Sequence, residues 1–397
     1  METSRETGKL NGSNKLTTQY CLPSERLLEG KLQFGDSNPG SQLEELPSWF
    51  NLELARKGQK FARERLYGVF YAHLIALFYL LAQRDARKIL YYTQKSHTPE
   101  LALKRYLATL LQVKLWYDSD ISDDLSCPFF TSLSTVRKIH HGMGQRVQAQ
   151  HPDFSKPVIE EPTEDDEDSS QPRGKLWEAF KADLESSDLA QDILPLEENP
   201  SGFYYFSQYD MTSTQWSFVA LPIMYSQKLG MYDVTDEELE GFVHLWAIIS
   251  HTLGLEPHYN ICLVPDLESF KAHANWIYEN QYLPGFFDVN YESEVMWCAL
   301  AEGVSHIFPF LNVENLLLQT LEDFIVAPSQ NFRRKIGWIT VYRRLFQKAI
   351  VEPLLNFKWF QQYCNNYVRE TIAKVTESRM GLNSSNDVEI SQRAYYY

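Results

Sequence analysis

The sequence predicts an all-α protein built as a single large multi-helix domain. Three observations lead there: apolar residues recur at three- and four-residue spacing along most of the chain, no stretch shows a convincing period-two alternation, and several helical runs carry their own start and stop signals. With 397 residues, 44% of them hydrophobic, the chain can bury a sizeable core.

Residues 1–45 are rich in Ser, Gly, Asn, Glu and Pro, lack a period, and read as a disordered tail. The folded domain is expected over 46–380, followed by a C-terminal tail over 381–397. From Trp49 to Ala82 the pattern is helical, a mixed-charge half running into "LYGVFYAHLIALFYLLA" (Leu66 to Ala82). This segment carries no charge except a conditional one on His73, and it lies at the lower length limit for a membrane span. It reads first as a buried core helix and second as a membrane-embedded one. Asp85 to Tyr92 extends or restarts the helix. Thr98 is the N-cap of the next, with Pro99 in its first position and Glu100 in its first turn. After the turn-forming "DSDISDDLSCP", another helix is expected to begin near Ser132 or Ser134. Residues 152–200 change to acids, Pro and Ser and read as an acidic insertion rather than a core element, although "RGKLWEAFKADLESS" has a helical pattern. Helices resume with "YYFSQYDMTSTQWSFVALPIMYSQKLGM". Thr235 and Glu238 form a capping box for the run that closes at Gly254, and further helical runs continue to the C-terminus.

The formal charge of −15 argues against nucleic acid as a partner, because phosphate binding needs a basic surface. Residues 160–168 ("EEPTEDDED") hold seven of the acids and leave about −8 for the rest, an ordinary surface. Aromatic residues make up 14% of the chain, enough to line a core or an apolar pocket. The five cysteines are odd in number, scattered and without CxxC spacing, so neither a disulfide framework nor a zinc site is indicated. Together with an N-terminus lacking the apolar core of a signal peptide, they predict an intracellular, reduced location such as the cytoplasm.

Two polar clusters interrupt apolar helices. Arg105 and Thr109 share one helix face, and Arg137 lies one turn before His140, with His141 beside it. A half-buried arginine needs an anion. Carboxylates on other helices would serve, and so would one large anionic cofactor reached by both arginines, with a histidine as metal ligand. His141 lies about 100° around the helix from His140 and is the alternative ligand.

Arg105-xxx-Thr109 followed by Arg137-xx-His140, on a chain continuing with "SQYDMTSTQWSF", "GFVHLWAIISHTLGLE" and "YNICL", resembles the family of the rubber oxygenase (latex clearing protein) catalytic domain and the endoplasmic-reticulum-bound oxygenase MpaB, closest to its animal branch. The resemblance covers roughly Pro47 to Glu377 without the acidic insertion. It implies a helical fold enclosing haem b, with His140 as iron ligand and Arg105, Thr109 and Arg137 around the haem. It further implies that Thr109 and Arg105 serve oxidative cleavage, by O2, of a C=C bond in an isoprenoid or other apolar unsaturated substrate. The alternative location that the resemblance implies is the cytosolic face of the endoplasmic reticulum, with a peripheral membrane association. Two family positions differ: Ala108 stands where rubber oxygenases have a lysine, and Ile89 where they have an acid, with Asp85 the nearest acid upstream.

Two other readings are open at this stage. One is a non-catalytic helical protein binding haem or lipid. The other is a di-iron carboxylate oxidase using Glu240 with His244 and Glu302 with His306, a Glu-xxx-His spacing that departs from the usual Glu-xx-His. His244, His251, His258 and His273, with Trp246, Trp276 and Tyr259, are candidates for the far wall of a pocket.

Overall fold

Thr98 caps the helix it was expected to open, its hydroxyl accepting the Leu101 N–H, and the Thr235–Glu238 capping box forms with both of its hydrogen bonds. These are contacts within four residues, which is why local sequence could announce them. The computed structural model describes residues 21–36, 43–150, 153, 156–161, 175–196, 198–308 and 311–380. Among them there is no strand, only an isolated bridge between Phe34 and Ser207. The expected tail at 1–20 and 37–42, most of the acidic run, and the C-terminal tail lie outside the described residues.

The helices are α1 (Leu52–Glu64), α2 (Leu66–Ala82), α3 (Arg84–Tyr92), α4 (Pro99–Asp118), α5 (Pro128–Gln150), α6 (Leu176–Glu185), α7 (Gln208–Met224) and α8 (Asp236–Thr252). They continue as α9 (Leu267–Ile277), α10 (Leu283–Phe287), α11 (Tyr291–Val304), α12 (Val313–Gln319), α13 (Gln330–Lys335), α14 (Trp338–Phe346), α15 (Glu352–Leu354) and α16 (Lys358–Met380). Helix α5 begins at Pro128, ahead of the serines expected to open it, because Phe129 and Phe130 are already buried against the core.

Helix α2 is the axis of the molecule. Fourteen of its seventeen residues are buried, and it packs against α1, α3, α7, α11 and α16. Each large side chain it buries is worth about 1.5–3 kcal/mol. This supports the core-helix reading of Leu66–Ala82. No single helix among the described residues is long and apolar enough to cross a membrane, and only the pair α1 and α2, bent by 90°, passes the test together. At that bend Asn365 of α16 accepts the Tyr67 N–H at 2.8 Å and donates to the Glu64 carbonyl at 2.6 Å, so the groups left over at the break are satisfied. At the other end of α2, buried Arg87 donates to the carbonyls of Leu81 and Ala82 and faces Glu292 at 3.6 Å.

The buried tryptophans each have their N–H satisfied. Trp297 donates to the Phe78 carbonyl at 2.8 Å, Trp216 to the Ala274 carbonyl at 2.8 Å and Trp116 to Ser132 Oγ at 3.0 Å. Much of the aromatic content is therefore structural.

Two sequence expectations are corrected. The supposed tail is built into the fold over its last described part: 24–32 form a 3-10 helix whose Leu27 is fully buried, and Asp36 is 2% exposed. The insertion also contributes to the core. Phe180 and Leu184 of α6 are fully buried, and Asp183 accepts the Asn331 and Phe332 N–H groups at 2.9 and 2.7 Å, capping α13. Buried carboxylates of α11 hold other described residues of the insertion: Glu292 accepts from Val158 and Ile159, and Glu294 from Trp177. The short helix expected there forms as α6, but its acidic, proline-rich surroundings hid its place in the core, because its partners lie more than a hundred residues away.

Candidate functional site

A cavity of about 1370 Å³ lies between α2, α3, α4, α5 and α7. It exceeds the roughly 300–1,000 Å³ of ordinary small-molecule pockets, so it has room for a large cofactor and a substrate together. Each wall is one helix face. Phe70, His73, Leu74, Leu77 and Leu80 come from α2, a run of eleven residues and hence about 15 Å of wall. Helix α4 supplies Arg105, Thr109, Val113 and Trp116, and α5 supplies Val136, His140, Met143 and Val147. These are the three- and four-residue spacings that made both helices look amphipathic from sequence, except that the shared face looks into a void.

Three of the four predicted site residues meet here. His140 is only half-buried because its ring is open to the cavity, while His141 points away and packs edge-on against Phe34 at 5.5 Å. Their roughly 100° separation around α5 is thus resolved in favour of His140 as the cavity residue. Burial pushes its imidazole down to about 4; the nearby Arg105 charge acts the same way and Asp36 opposes. The ring is neutral at physiological pH, the form in which histidine binds a metal. Among the described residues its nitrogens have no hydrogen-bond partner. Arg105 donates from Nη1 to Thr93 Oγ1, and Thr93 in turn donates to the Leu90 carbonyl at 2.7 Å. Thr109 donates to the Arg105 carbonyl at 3.2 Å, which leaves the lone pairs of its oxygen as acceptors at the wall.

Arg137 separates from the other three. It is not on the cavity wall; it holds Asp36 with two hydrogen bonds, Nε to Oδ2 at 2.9 Å and Nη2 to Oδ1 at 2.7 Å. Gly254, at φ +107°, allows this approach, since a Cβ there would sit 3.0 Å from the Asp36 carboxyl carbon. The carboxylate alternative applies to this arginine, and a partner 101 residues away could not be read from spacing.

Sequence reasoning passed over two further wall residues. His73 has Nε2 3.1 Å from the Phe218 carbonyl and its buried Nδ1 without a partner; burial pushes it down to about 3. Asp210 accepts from Ser207 N–H and Oγ at 2.8 and 2.7 Å, and burial pushes its carboxyl up to about 6, with the Ser207 bonds opposing and Asp85 adding to the rise. The Ser207 to Asp210 spacing was a visible capping signal for the second; nothing local marked the first. Asp85 also lines the cavity, one turn before Ile89, and accepts from Asn199 at 2.8 Å. Ala108 does not line it and is buried in the core instead. Of the other candidates, Trp246 and Trp276 are on the wall, whereas Tyr259, His244, His251, His258 and His273 are not.

The Glu-xxx-His pairs do not converge. Glu240 is exposed while His244 turns inward to accept the Asn51 N–H at 2.9 Å, and both Glu302 and His306 are exposed. Among the described residues no group of three His, Cys, Asp or Glu side chains is placed to hold a metal ion. A haem needs only one such ligand from the protein. The cavity fits one on three counts: a neutral, unpartnered imidazole on the wall, the Arg105 cation beside it, and the volume.

The buried histidines set an acid limit on the fold. His73 at about 3 and His140 and His244 at about 4 all lie below the ordinary 6.5, so between pH 6.5 and 4 the unfolded chain binds three more protons at these sites. Asp210, raised to about 6, offsets one of them. Stability should therefore fall as pH drops, by about 2.7 kcal/mol per unit from pH 6 to 4, the net of two protons. Urea unfolding across that range tests this, and His73→Phe should flatten the slope.

No family model, curated protein or solved structure matches this chain.

Proposed function

We propose that the cavity binds haem b and that the protein is a haem-dependent oxygenase acting on an isoprenoid or other apolar unsaturated substrate. One observation carries this reading: the neutral His140 ring, without a hydrogen bond among the described residues, on the wall of a large apolar cavity, with Arg105 and Thr109 on the facing helix. The residue resemblance to the rubber oxygenase and MpaB family supports it independently.

His140 would supply the iron ligand, and Arg105, already at the wall, would hold a propionate carboxylate. When bound, haem supplies the activation of O2 needed to cleave a C=C bond. The chain's own residues do the remainder. The α2 face from Phe70 to Leu80 would receive a long apolar chain and exclude water. Thr109 offers its oxygen as a hydrogen-bond acceptor to a polar group formed in that chain. Asp210 is the wall carboxyl able to keep or release a proton near neutral pH. Acids at the wall, among them Asp85, Asp153, Asp192, Glu198 and Asp210, outnumber the bases Lys31, Arg84 and Arg105, which favours a neutral substrate over an anionic one.

The test is an absorption spectrum of the purified protein, in which a Soret band is expected, followed by incubation of the reduced protein with polyprenyl substrates under labelled O2. Labelled aldehyde or ketone fragments are the expected products. Colourless, iron-free protein that retains an apolar ligand would overturn the oxygenase reading in favour of lipid binding.

The two arginines should also part company in experiment. Arg105→Ala should weaken haem retention by roughly tenfold to a hundredfold at little cost in fold, as for a lost charge-assisted hydrogen bond of about 1.5–3 kcal/mol. Arg137→Ala should instead destabilise the fold by about 3 kcal/mol, because it removes two charge-assisted hydrogen bonds from the buried Asp36 carboxylate. Haem titration and urea unfolding of both variants separate these outcomes.

A further inference from the structure

Among the described residues, thirteen large apolar side chains are exposed, and ten of them lie between Trp338 and Tyr367. The concentration is too local to be scatter over an ordinary surface. In α14, Trp338, Tyr342, Leu345 and Phe346 fall at positions one and two turns apart and share the outward face, with Trp338 77% and Tyr342 63% exposed. Two of its polar residues, Thr340 and Arg344, turn inward. Arg344 is 2% exposed and paired with Asp323 and Glu352, and Thr340 bonds Glu314. The helix is thus inverted, and buried ion pairs hold it so. Phe357, Trp359 and Tyr363 extend the face onto the start of α16.

Charge names the occupant. From Phe332 to Val368 the chain carries seven Lys and Arg against one Glu, in a protein of net charge −15. Arg334, Lys335, Arg343 and Lys358 are exposed and form no ion pair among the described residues. We infer that this face is a docking surface for an anionic lipid bilayer, with Trp338, Tyr342, Trp359 and Tyr363 at the headgroup–acyl boundary and the four bases against lipid phosphates. A second copy docked face to face would set these bases against each other, which disfavours a symmetric dimer.

The surface also adjoins the cavity. Phe324 and Ile325 line the cavity, while Glu322 and Asp323 of the same turn hold Arg333 and Lys348 beside the exposed face and the buried Arg344 beneath it. Docking would bring that wall next to the bilayer, so that an apolar substrate need not cross water. This route rests on the proposed function; the docking itself does not.

The full chain is mixed with vesicles of phosphatidylcholine, with and without phosphatidylserine, and binding is read by flotation and by the tryptophan emission shift. Binding should be stronger with phosphatidylserine and weaken with salt. Trp338→Glu with Tyr342→Glu should abolish it, and Arg343→Ala with Lys358→Ala should lower it about thirtyfold, near fivefold per base. Haem content should be unchanged in every variant, so failure of docking and failure of the oxygenase reading are told apart. Absence of binding to either vesicle, equal binding by the variants, or a lipid-free dimer that Trp338→Glu dissociates would overturn the inference.

Discussion

Replacing His140 with alanine is expected to remove the Soret band entirely while leaving the helical circular dichroism intact. The ring is open to the cavity and makes no hydrogen bond among the described residues, so its loss enlarges a space that is already empty of protein rather than opening a hole in the packed core. His141→Ala is the control. That ring packs edge-on against Phe34 outside the cavity, and its removal should cost some stability and no haem. A band that survives His140→Ala and disappears in His141→Ala would reverse the assignment. Free imidazole restoring the band of His140→Ala would locate the defect in the missing ligand and not in the fold.

The largest effect on stability is expected at the crossing of α1 and α8, where Gly58 meets Gly241. A Cβ on Gly58 would lie 2.2 Å from the Gly241 carbonyl oxygen and 2.6 Å from its carbonyl carbon, both backbone atoms that no rotamer can move. In an exposed helix interior, Gly→Ala gains about 1 kcal/mol. Here it must separate two helices whose faces carry buried Ala55, Phe61, Phe242 and Leu245, so Gly58→Ala should instead cost about 3 kcal/mol, the upper end for overpacking. Urea unfolding decides the sign. A stabilised variant would mean that the crossing is looser than its backbone distances state.

Much of the fold was legible because helices announce themselves locally. Thr98, Pro99 and Glu100, the Thr235–Glu238 box and the apolar spacing in α2, α4 and α5 act over one or two turns, and a linear reading reaches that far. Composition misled where order comes from distant partners. The segment around Asp36 looks like tail until Arg137 takes its carboxylate, and α6 looks like part of an insertion until α11 and α13 accept it.

The site divides the same way. That Arg105, Thr109 and His140 share apolar helix faces follows from spacing alone, and so does the choice between two adjacent histidines as a question. Its answer came only from packing: α2, α4, α5 and α7 leave a void on the side of His140 and bring His73 and Asp210 to the same wall, while Phe34 of the N-terminal segment packs against His141. Gly58 and Gly241, weak points in any isolated helix, acquire their purpose at a crossing of segments 183 positions apart. Periodicity determines which residues share a face, because that is backbone geometry; what the face meets, whether core, cavity or the surface left by the outward side of α14, depends on how helices distant in sequence pack together.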